Sequence, residues 1–311
     1  MSENTVVALG FFDGVHIGHG ALLRKTVERA RALGAQSAAF TFDRSPKEFV
    51  TGVTVPLLTG VEERRALMRR LYGVERVIVA HFDREMMTMP WEDFLSGPVV
   101  GQRHAGHLVA GHDFRFGYRN EGTPERLRAW CAAHGVGCDV IPAVELDGVT
   151  VSSTHIRALV EAGEMERAAA FLGHAYALTG EVAHGKHLGT EALFPTVNLK
   201  PEPWHVLPRF GVYAARVTLP DGRLCPGVTN VGIRPTIVDD DSVTVETNLI
   251  GFDGDLYGTE LRVELLRFCA PSGNLRAWRS CTRRSGVILN RRSNCCNILP
   301  PAYHTKEKKG R

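Results

Sequence analysis

No apolar run in this 311-residue chain approaches the roughly 20 residues that a membrane-crossing helix needs. A helical membrane protein is therefore not expected. Ahead of the first apolar stretch, Thr5-Val-Val-Ala-Leu-Gly10, there is neither a basic segment nor a leader-type hydrophobic core, so the expected location is cytoplasmic. No internal repeat is present, which argues against a solenoid or propeller. Cysteine is sparse in the body of the chain. Cys131, Cys138 and Cys225 have neither disulfide-framework nor zinc spacing and read as inert thiols. The last 43 residues lack acidic charge: from Cys269 to Arg311 there are ten Lys/Arg and only Glu307. That segment also carries Cys269, Cys281, Cys295 and Cys296. The remainder holds 27 basic and 33 acidic residues, a mildly acidic body with a strongly basic tail.

What is present fits two ordinary domains, with a hydrophobic content of 44%. Up to about residue 172, strand-like and helical patterns alternate. The strands are the run ending at Gly10, Ala38–Phe42, Val74–Ala80, His107–Ala110 and Gly137–Ile141. Helical periodicity spans Ala21–Leu33, where Leu22, Leu23, Val27 and Ala30 share a face, then Val61–Leu71, the vicinity of Trp91–Leu95, Pro124–His134 and a pair over Ser153–Leu172. This alternation predicts a mostly parallel, helix-covered sheet. After about Leu178 the texture becomes short β-type runs, Val212–Val217, Val243–Ile250 and Leu261–Leu266, with turn dipeptides Asp221-Gly222 and Asp253-Gly254. These predict a small antiparallel barrel or sandwich.

Two motifs in the first half point to nucleotide chemistry. Phe12-Asp-Gly-Val-His-Ile-Gly-His19 falls between the first strand and the first helix, where open α/β sheets bind ligands. His16 and His19, three apart at a helix start, can donate to phosphate oxygens together with free helix amides. Gly14 and Gly18 let the backbone come close to the ligand. Such a site suits attack on the α-phosphate of ATP. Ser152-Ser-Thr-His-Ile-Arg157, again before a helix, supplies hydroxyls, helix-start amides and a guanidinium. Alone it would equally be an ordinary N-cap cluster.

These two motifs, with Phe40-Thr-Phe-Asp43, Leu57-Leu-Thr59 and Gly111-His-Asp-Phe-Arg-Phe-Gly117, occur in the order and spacing of the bacterial bifunctional riboflavin kinase/FAD synthetases, which the chain resembles. The resemblance implies an α/β fold in which a Rossmann-like HxGH nucleotidyltransferase domain with a parallel sheet precedes a small antiparallel β-barrel riboflavin kinase domain. It implies that His16 and His19 contact ATP phosphates, with Gly14 and Gly18 beside them. Ser153, Thr154 and Arg157 would complete the phosphate grip, and Asp113, Phe114 and Phe116 would lie in the nucleotide/flavin cleft. The two phenylalanines read equally well as core packing. His155 stands where the family often has a second arginine.

In the second half, the glycines 180, 185 and 189 and Pro195-Thr-Val-Asn198 would pass for turn residues by composition alone. The resemblance reverses that reading, since Pro-Thr-Val-Asn is similar to the Pro-Thr-Ala-Asn signature of riboflavin kinases. Gly211-Val-Tyr213, Asn230-Val-Gly-Ile-Arg-Pro-Thr236 and Asp253-Gly-Asp-Leu-Tyr-Gly258 follow in the family's order. By that resemblance Gly185 and Asn198 bind ATP, Thr196 binds ATP phosphates and their Mg²⁺, and Glu246 is the general base for the riboflavin 5′-hydroxyl. The implied domains are 1–178 (FAD synthetase) and 179–268 (riboflavin kinase), with 269–311 an aberrant, disordered tail.

The resemblance stops after Phe268. The family continues with an Arg-Pro-Glu-Arg-Lys-type turn and an amphipathic helix beside the kinase flavin site, and this chain has neither. A nucleic-acid arm and a Cys-rich metal site are the functional alternatives, but the cysteine spacing fits no zinc pattern. A third reading comes from the genetic code. Codons for Phe268–Asn290 can be chosen so that the frame beginning at the last base of codon 268 reads LRPERKPASLEELHAEIRRDIE. That string has a Pro turn, a Ser N-cap, a capping-box Glu and a charged helix. We read the tail as the product of one lost base.

The expected function is ATP-dependent phosphorylation of riboflavin to FMN, then adenylylation of FMN to FAD and pyrophosphate, with kinase activity impaired by the altered C-terminus. Mg²⁺ would accompany ATP. Riboflavin, FMN and FAD would be substrates or products, and no nucleic-acid or membrane partner is expected. The alternatives are a monofunctional adenylyltransferase for another small molecule and nucleic-acid binding through the tail. The oligomeric state is not legible.

Overall fold

The structure, a computed structural model, describes residues 4–183, 196–233 and 243–272. They form two compact units, one running to Ala158 and including Trp204–Val206, the other starting at Leu159. The expectations placed on Gly185 and on the tail from 273 fall outside the described residues.

In the first unit, β1 (Thr5–Leu9), α1 (Ile17–Leu33), β2 (Gln36–Phe42), α2 (Pro46–Thr51), α3 (Val61–Tyr72), β3 (Arg76–Ala80), α4 (Arg84–Thr88) and α5 (Trp91–Phe94) follow one another. A π-helical stretch, Leu95–Gly101, leads to β4 (Ala105–Gly111), α6 (Pro124–Ala133) and β5 (Gly137–Ile141). A short ribbon of β6 (Glu145–Leu146) and β7 (Val149–Thr150) precedes α7 (Ser153–Ala162). The five long strands lie in the order β3-β2-β1-β4-β5, every pair parallel.

Alternation of side chains along each strand builds a core on both faces of this sheet. Val7 and Leu9 of β1, Phe40 of β2 and Leu108 of β4 pack with Phe94, Leu95, Leu127 and Trp130 on one side. Val6, Ala8, Ala39 and Val109 pack with α1 and α3 on the other. The α1 contributors are Leu22, Leu23, Val27 and Ala30, the face read from the sequence. The helix begins at Ile17, four residues before the periodicity shows, because His16 caps it: its Nδ1 accepts the His19 N–H at 3.2 Å. Strand order turns back at β1, with β2 and β3 added on one side and β4 and β5 on the other. Loops leaving β1 and β4 therefore diverge and open a crevice at their carboxyl ends.

In the second unit, α8 (Met165–Leu172) is followed by β8 (Tyr176–Ala183), β9 (Thr196–Leu199), β10 (Gly211–Thr218), β11 (Leu224–Ile233), β12 (Val243–Leu249) and β13 (Glu260–Ala270). These six strands close into an antiparallel barrel, β10-β11-β12-β9-β8-β13, with β13 pairing back onto β10. Of the barrel and sandwich forms open to the sequence, the barrel is the one found. Its interior is lined by residues of one parity, among them Tyr213, Val217, Thr229, Val231, Val245, Thr247, Val263 and Leu265, all fully buried. The Asp221-Gly222 turn joins β10 to β11, and Gly222 adopts φ +82°, which glycine tolerates. Strand β8 straddles residue 178, and α8, assigned from sequence to a pair closing the first half, packs on β8 and β13.

Candidate active sites

The first site is assembled around one buried carboxylate. Asp13, 2% exposed, sits in the turn after β1. Its Oδ1 accepts the backbone N–H groups of Leu58 at 2.9 Å and Thr59 at 3.1 Å, and its Oδ2 accepts from Arg157 Nη2 at 2.7 Å. Ser153 Oγ donates to the Asp13 carbonyl at 2.9 Å, and Arg157 Nε donates to the Pro56 carbonyl at 2.7 Å. The Gly14 N–H donates to Thr59 Oγ1 at 2.8 Å. The three sequence fragments Asp13–His19, Leu57–Thr59 and Ser152–Arg157 thus meet at a single side chain. Burial pushes the Asp13 carboxyl above its ordinary range, while Arg157, the Thr59 amide and Arg64 pull it back.

The backbone of this turn is unusual. Phe12 and Val15 adopt φ of +59° and +41°, left-handed values that cost non-glycine residues energy, while Gly14 takes φ +79° at little cost. The turn brings the His16 and His19 rings into a stack with centroids 3.5 Å apart. Because His16 Nδ1 accepts a backbone N–H, its neutral ring carries the proton on Nε2 and offers it as a donor. The His19 pKa lies well below the ordinary value, lowered by burial first and then by His16 and Arg64. Its buried Nδ1 has no hydrogen-bond partner among the described residues.

Behind the site lies Arg64, fully buried on α3. Its Nη1 donates to the Phe11 carbonyl at 2.6 Å and to Thr41 Oγ1 at 3.1 Å, and its Nη2 donates to the Phe42 carbonyl at 3.2 Å. The guanidinium also lies 4.4 Å from the Phe11 ring centroid. Burial lowers its pKa to about 10, so it remains a cation at neutral pH. Sequence reasoning missed Arg64. The available signal was its place on the apolar i, i+3, i+4 stripe with Leu67 and Met68.

Two cavities open on this unit. One, of about 620 Å³, is lined by His16, Gly18, His19, Asp113, Ser153 and Thr154, so the starts of α1 and α7 both face it. The other, of about 650 Å³, is largely aromatic and apolar, with Phe42, Phe82, Phe94, Phe114, Phe116 and Met86 in its wall. They share Phe11, Phe114, Arg115, Lys47, Thr154 and Arg157, and so form two lobes with a common neck. Phe116 is buried in the core and Phe114 stacks on it at 5.2 Å, so both pack the core and line the cavity. Asp113 is exposed. Gly14 spends its amide on Thr59.

The second site is a register feature of the barrel. Asn198 of β9 pairs with Glu246 of β12, which pairs with Asn230 of β11. Thr196 pairs with Asn248 one step along. Directly paired residues share a sheet face, and this face is opposite in parity to the buried interior. Thr196, Asn198, Glu246, Asn248 and Asn230 therefore form one polar patch. Asn230, not singled out from sequence, accepts on its Oδ1 from Ser272 Oγ at 3.2 Å. The patch offers hydroxyl, amide and carboxylate oxygens, the hard donors that suit Mg²⁺. Among the described residues no three His, Cys, Asp or Glu side chains cluster as a metal site, and no helix is long and apolar enough to cross a membrane.

A doubly wound sheet with histidines at its switch point, followed by a β-barrel bearing an oxygen-rich patch, defines a two-part phosphate-handling protein. Comparison with known proteins names it more closely. The FAD synthetase family model matches residues 1–155, and the riboflavin kinase model matches 172–277. A Pseudomonas fluorescens bifunctional riboflavin kinase/FMN adenylyltransferase is 35% identical over 258 residues, 83% of this chain and 82% of that protein. Its Escherichia coli K12 counterpart is 33% identical over 264 residues, 85% of this chain and 83% of that one. A solved Streptococcus pneumoniae structure, described as a macrolide-efflux protein, shares the fold with a TM-score of 0.78 at 25% identity, covering 93% of this chain and 95% of that one. The chain belongs to the bifunctional riboflavin kinase/FMN adenylyltransferase family.

Two outcomes follow for the first site. Asp13→Ala leaves two amides and Arg157 without their acceptor and should cost about 3 kcal/mol in denaturant unfolding. Asp13→Asn, which keeps an oxygen for the amides, should cost roughly half as much. The low His19 pKa makes stability fall as pH drops below 6.5, because the unfolded chain then binds a proton that the folded chain refuses. His19→Gln should flatten this slope, by up to about 1.4 kcal/mol per pH unit. Melting curves at pH 5.5 and 7.5 that keep the same separation in both proteins would contradict it.

Proposed function

We propose that this chain makes FAD from riboflavin in two ATP-dependent steps, one on each unit. The observation that carries the reading is the convergence of Asp13–His19, Leu57–Thr59 and Ser152–Arg157 on the Asp13 carboxylate, beside the cavity that His16, His19, Ser153 and Thr154 line, on the same chain as the Asn198–Glu246 register pair.

In the barrel, riboflavin is phosphorylated. Glu246 takes the proton of the 5′-hydroxyl as that oxygen bonds to the γ-phosphorus of ATP, and ADP departs. Thr196 and Asn198, in the adjoining strand on the same face, hold the ATP phosphates. Thr196 with those phosphates would hold Mg²⁺, which when bound neutralises phosphate charge. Asn230 positions the Glu246 carboxylate. With its Oδ1 occupied by Ser272, it turns its amide N–H groups toward other acceptors.

In the α/β unit, FMN is adenylylated. An oxygen of the FMN phosphate bonds to the α-phosphorus of a second ATP, the bond to the β-phosphate oxygen breaks, and pyrophosphate leaves. His16, through its Nε2–H, and the neutral His19 donate hydrogen bonds to oxygens whose charge grows in the transition state. The amides at the starts of α1 and α7, with Thr154, add to the grip on the triphosphate. The aromatic lobe takes the isoalloxazine between Phe114 and Phe42. Gly18 keeps the α1 start open to the phosphates.

Assaying the steps separately tests the assignment. Glu246→Gln should lower riboflavin phosphorylation about 10²–10⁴-fold and leave FMN adenylylation intact. His16→Ala/His19→Ala should do the reverse, and a variant that lowers both equally would break the assignment.

The sequence after Phe268 bears on the balance of the two steps. The turn and helix that the family places beside the kinase flavin site are absent from this reading of the chain and would be recovered in the shifted frame if one base has been lost at codon 268. Adenylylation should therefore exceed riboflavin phosphorylation in the purified chain. Restoring one base at codon 268 should raise phosphorylation selectively. Equal rates before and after that repair would reject the idea.

A further inference from the structure

The neck between the two lobes holds three cations, Lys47, Arg115 and Arg157. Arg157 is committed to Asp13 and to the Pro56 carbonyl. Lys47 accepts from the Thr51 hydroxyl through its backbone carbonyl, but neither its side chain nor that of Arg115 makes a hydrogen bond or ion pair with any described residue. Arg115 acts on the Glu125 carboxyl only over distance, behind the Thr123 hydroxyl. Of the other arginines nearby, Arg44 lies 3.9 Å from Asp43 and Arg126 lies 3.9 Å from Glu121, while Arg119, in the wall of the aromatic lobe alone, lies over the Tyr118 ring at 5.1 Å. The two unpaired cations also come from opposite walls. Lys47 stands at the start of α2, after β2, and Arg115 follows β4, so they flank the crevice above β1.

We infer that Lys47 and Arg115 form a clamp for the phosphomonoester of the attacking flavin nucleotide. The inference rests on the adenylyl-transfer reading and deepens it. In that reaction a phosphate dianion must approach a polyanionic triphosphate, and the approach is repulsive unless cations stand where the two meet. The neck is that place, because the triphosphate belongs to the histidine lobe and the flavin ring to the aromatic lobe. Cations without an internal partner can turn to the incoming phosphate without breaking an existing pair. The step needs no further reagent: one P–O bond forms at the α-phosphorus, one breaks, and pyrophosphate carries away the displaced electron pair. The clamp also selects its substrate, because riboflavin offers it no anion.

The test is steady-state FMN adenylylation by the full chain and by its Lys47→Met and Arg115→Met variants, with melting temperature as the folding control. Each substitution should raise the KM for FMN about 10-fold, with the KM for ATP within about twofold. Competitive inhibition by riboflavin, which lacks the phosphate, should keep its constant. Lys47→Arg and Arg115→Lys should recover most of the loss. An unchanged KM for FMN in both variants, with FAD still formed, overturns the clamp alone. Equal increases in the FMN constant and the riboflavin inhibition constant also overturn it, as general damage to the cavity. No FAD from the unsubstituted chain would overturn the adenylyl-transfer reading and the clamp with it.

Discussion

A carboxylate that water does not reach holds the first unit's chemistry in place. Asp13 lies in a turn containing two non-glycine residues, Phe12 and Val15, in left-handed conformations. Such residues cost on the order of 1–3 kcal/mol each and persist only where their surroundings fix them. Here the surroundings are the amides of Leu58 and Thr59, the Arg157 guanidinium and the Ser153 hydroxyl, all closing on Asp13. The turn, in turn, sets His16 as the cap of α1 and stacks it on His19. Loss of that one acceptor would free all three segments from one another, among them the two that line the histidine lobe.

The two units meet phosphate by different physical means. The α/β unit uses what a strand-to-helix turn provides, namely helix-start amides, ring N–H donors and arginines behind them. The barrel uses register. Residues that are remote in sequence, Asn198, Glu246 and Asn230, fall in a row because antiparallel pairing sets them opposite one another on one face. A one-residue slip in β12 would bury Glu246 and present Val245 or Thr247 in its place, and one in β9 would bury Asn198.

The parts legible in the sequence were those carried by local pattern. Strand–helix alternation gave the parallel sheet, and the i, i+3, i+4 spacing gave the α1 face. HxGH and Ser152–Arg157 marked residues that the fold brings to one cavity, because each motif lies within one turn of a helix start. The parts not legible depend on distant contacts. Asp13 meets Thr59 and Arg157 across long stretches of chain, so nothing near it marks it as the centre. Arg64 is a cation on an apolar stripe, which reads as a surface side chain at the edge of a helix face. Asn230 stands in a motif of the family without a role of its own, and its place beside Glu246 comes only from the β11–β12 register. Lys47 opens α2 and Arg115 sits in the loop after β4, and only the folded crevice shows that both line the same neck.

The electrostatics of the histidine lobe divide the work between two kinds of group. A site that binds a triphosphate needs positive charge, yet its donors must also point at particular oxygens. Arg64, buried with a pKa of about 10, stays charged throughout the physiological range and supplies a fixed positive potential behind β1 and β2. That same charge, with burial and the neighbouring ring, keeps His19 neutral. A neutral imidazole is a weaker attractor than an imidazolium, but it is cheaper to bury and keeps a definite N–H direction. The lobe thus sets directional ring N–H donors against a fixed positive background, and the two properties come from different residues because no single side chain supplies both at low cost of burial.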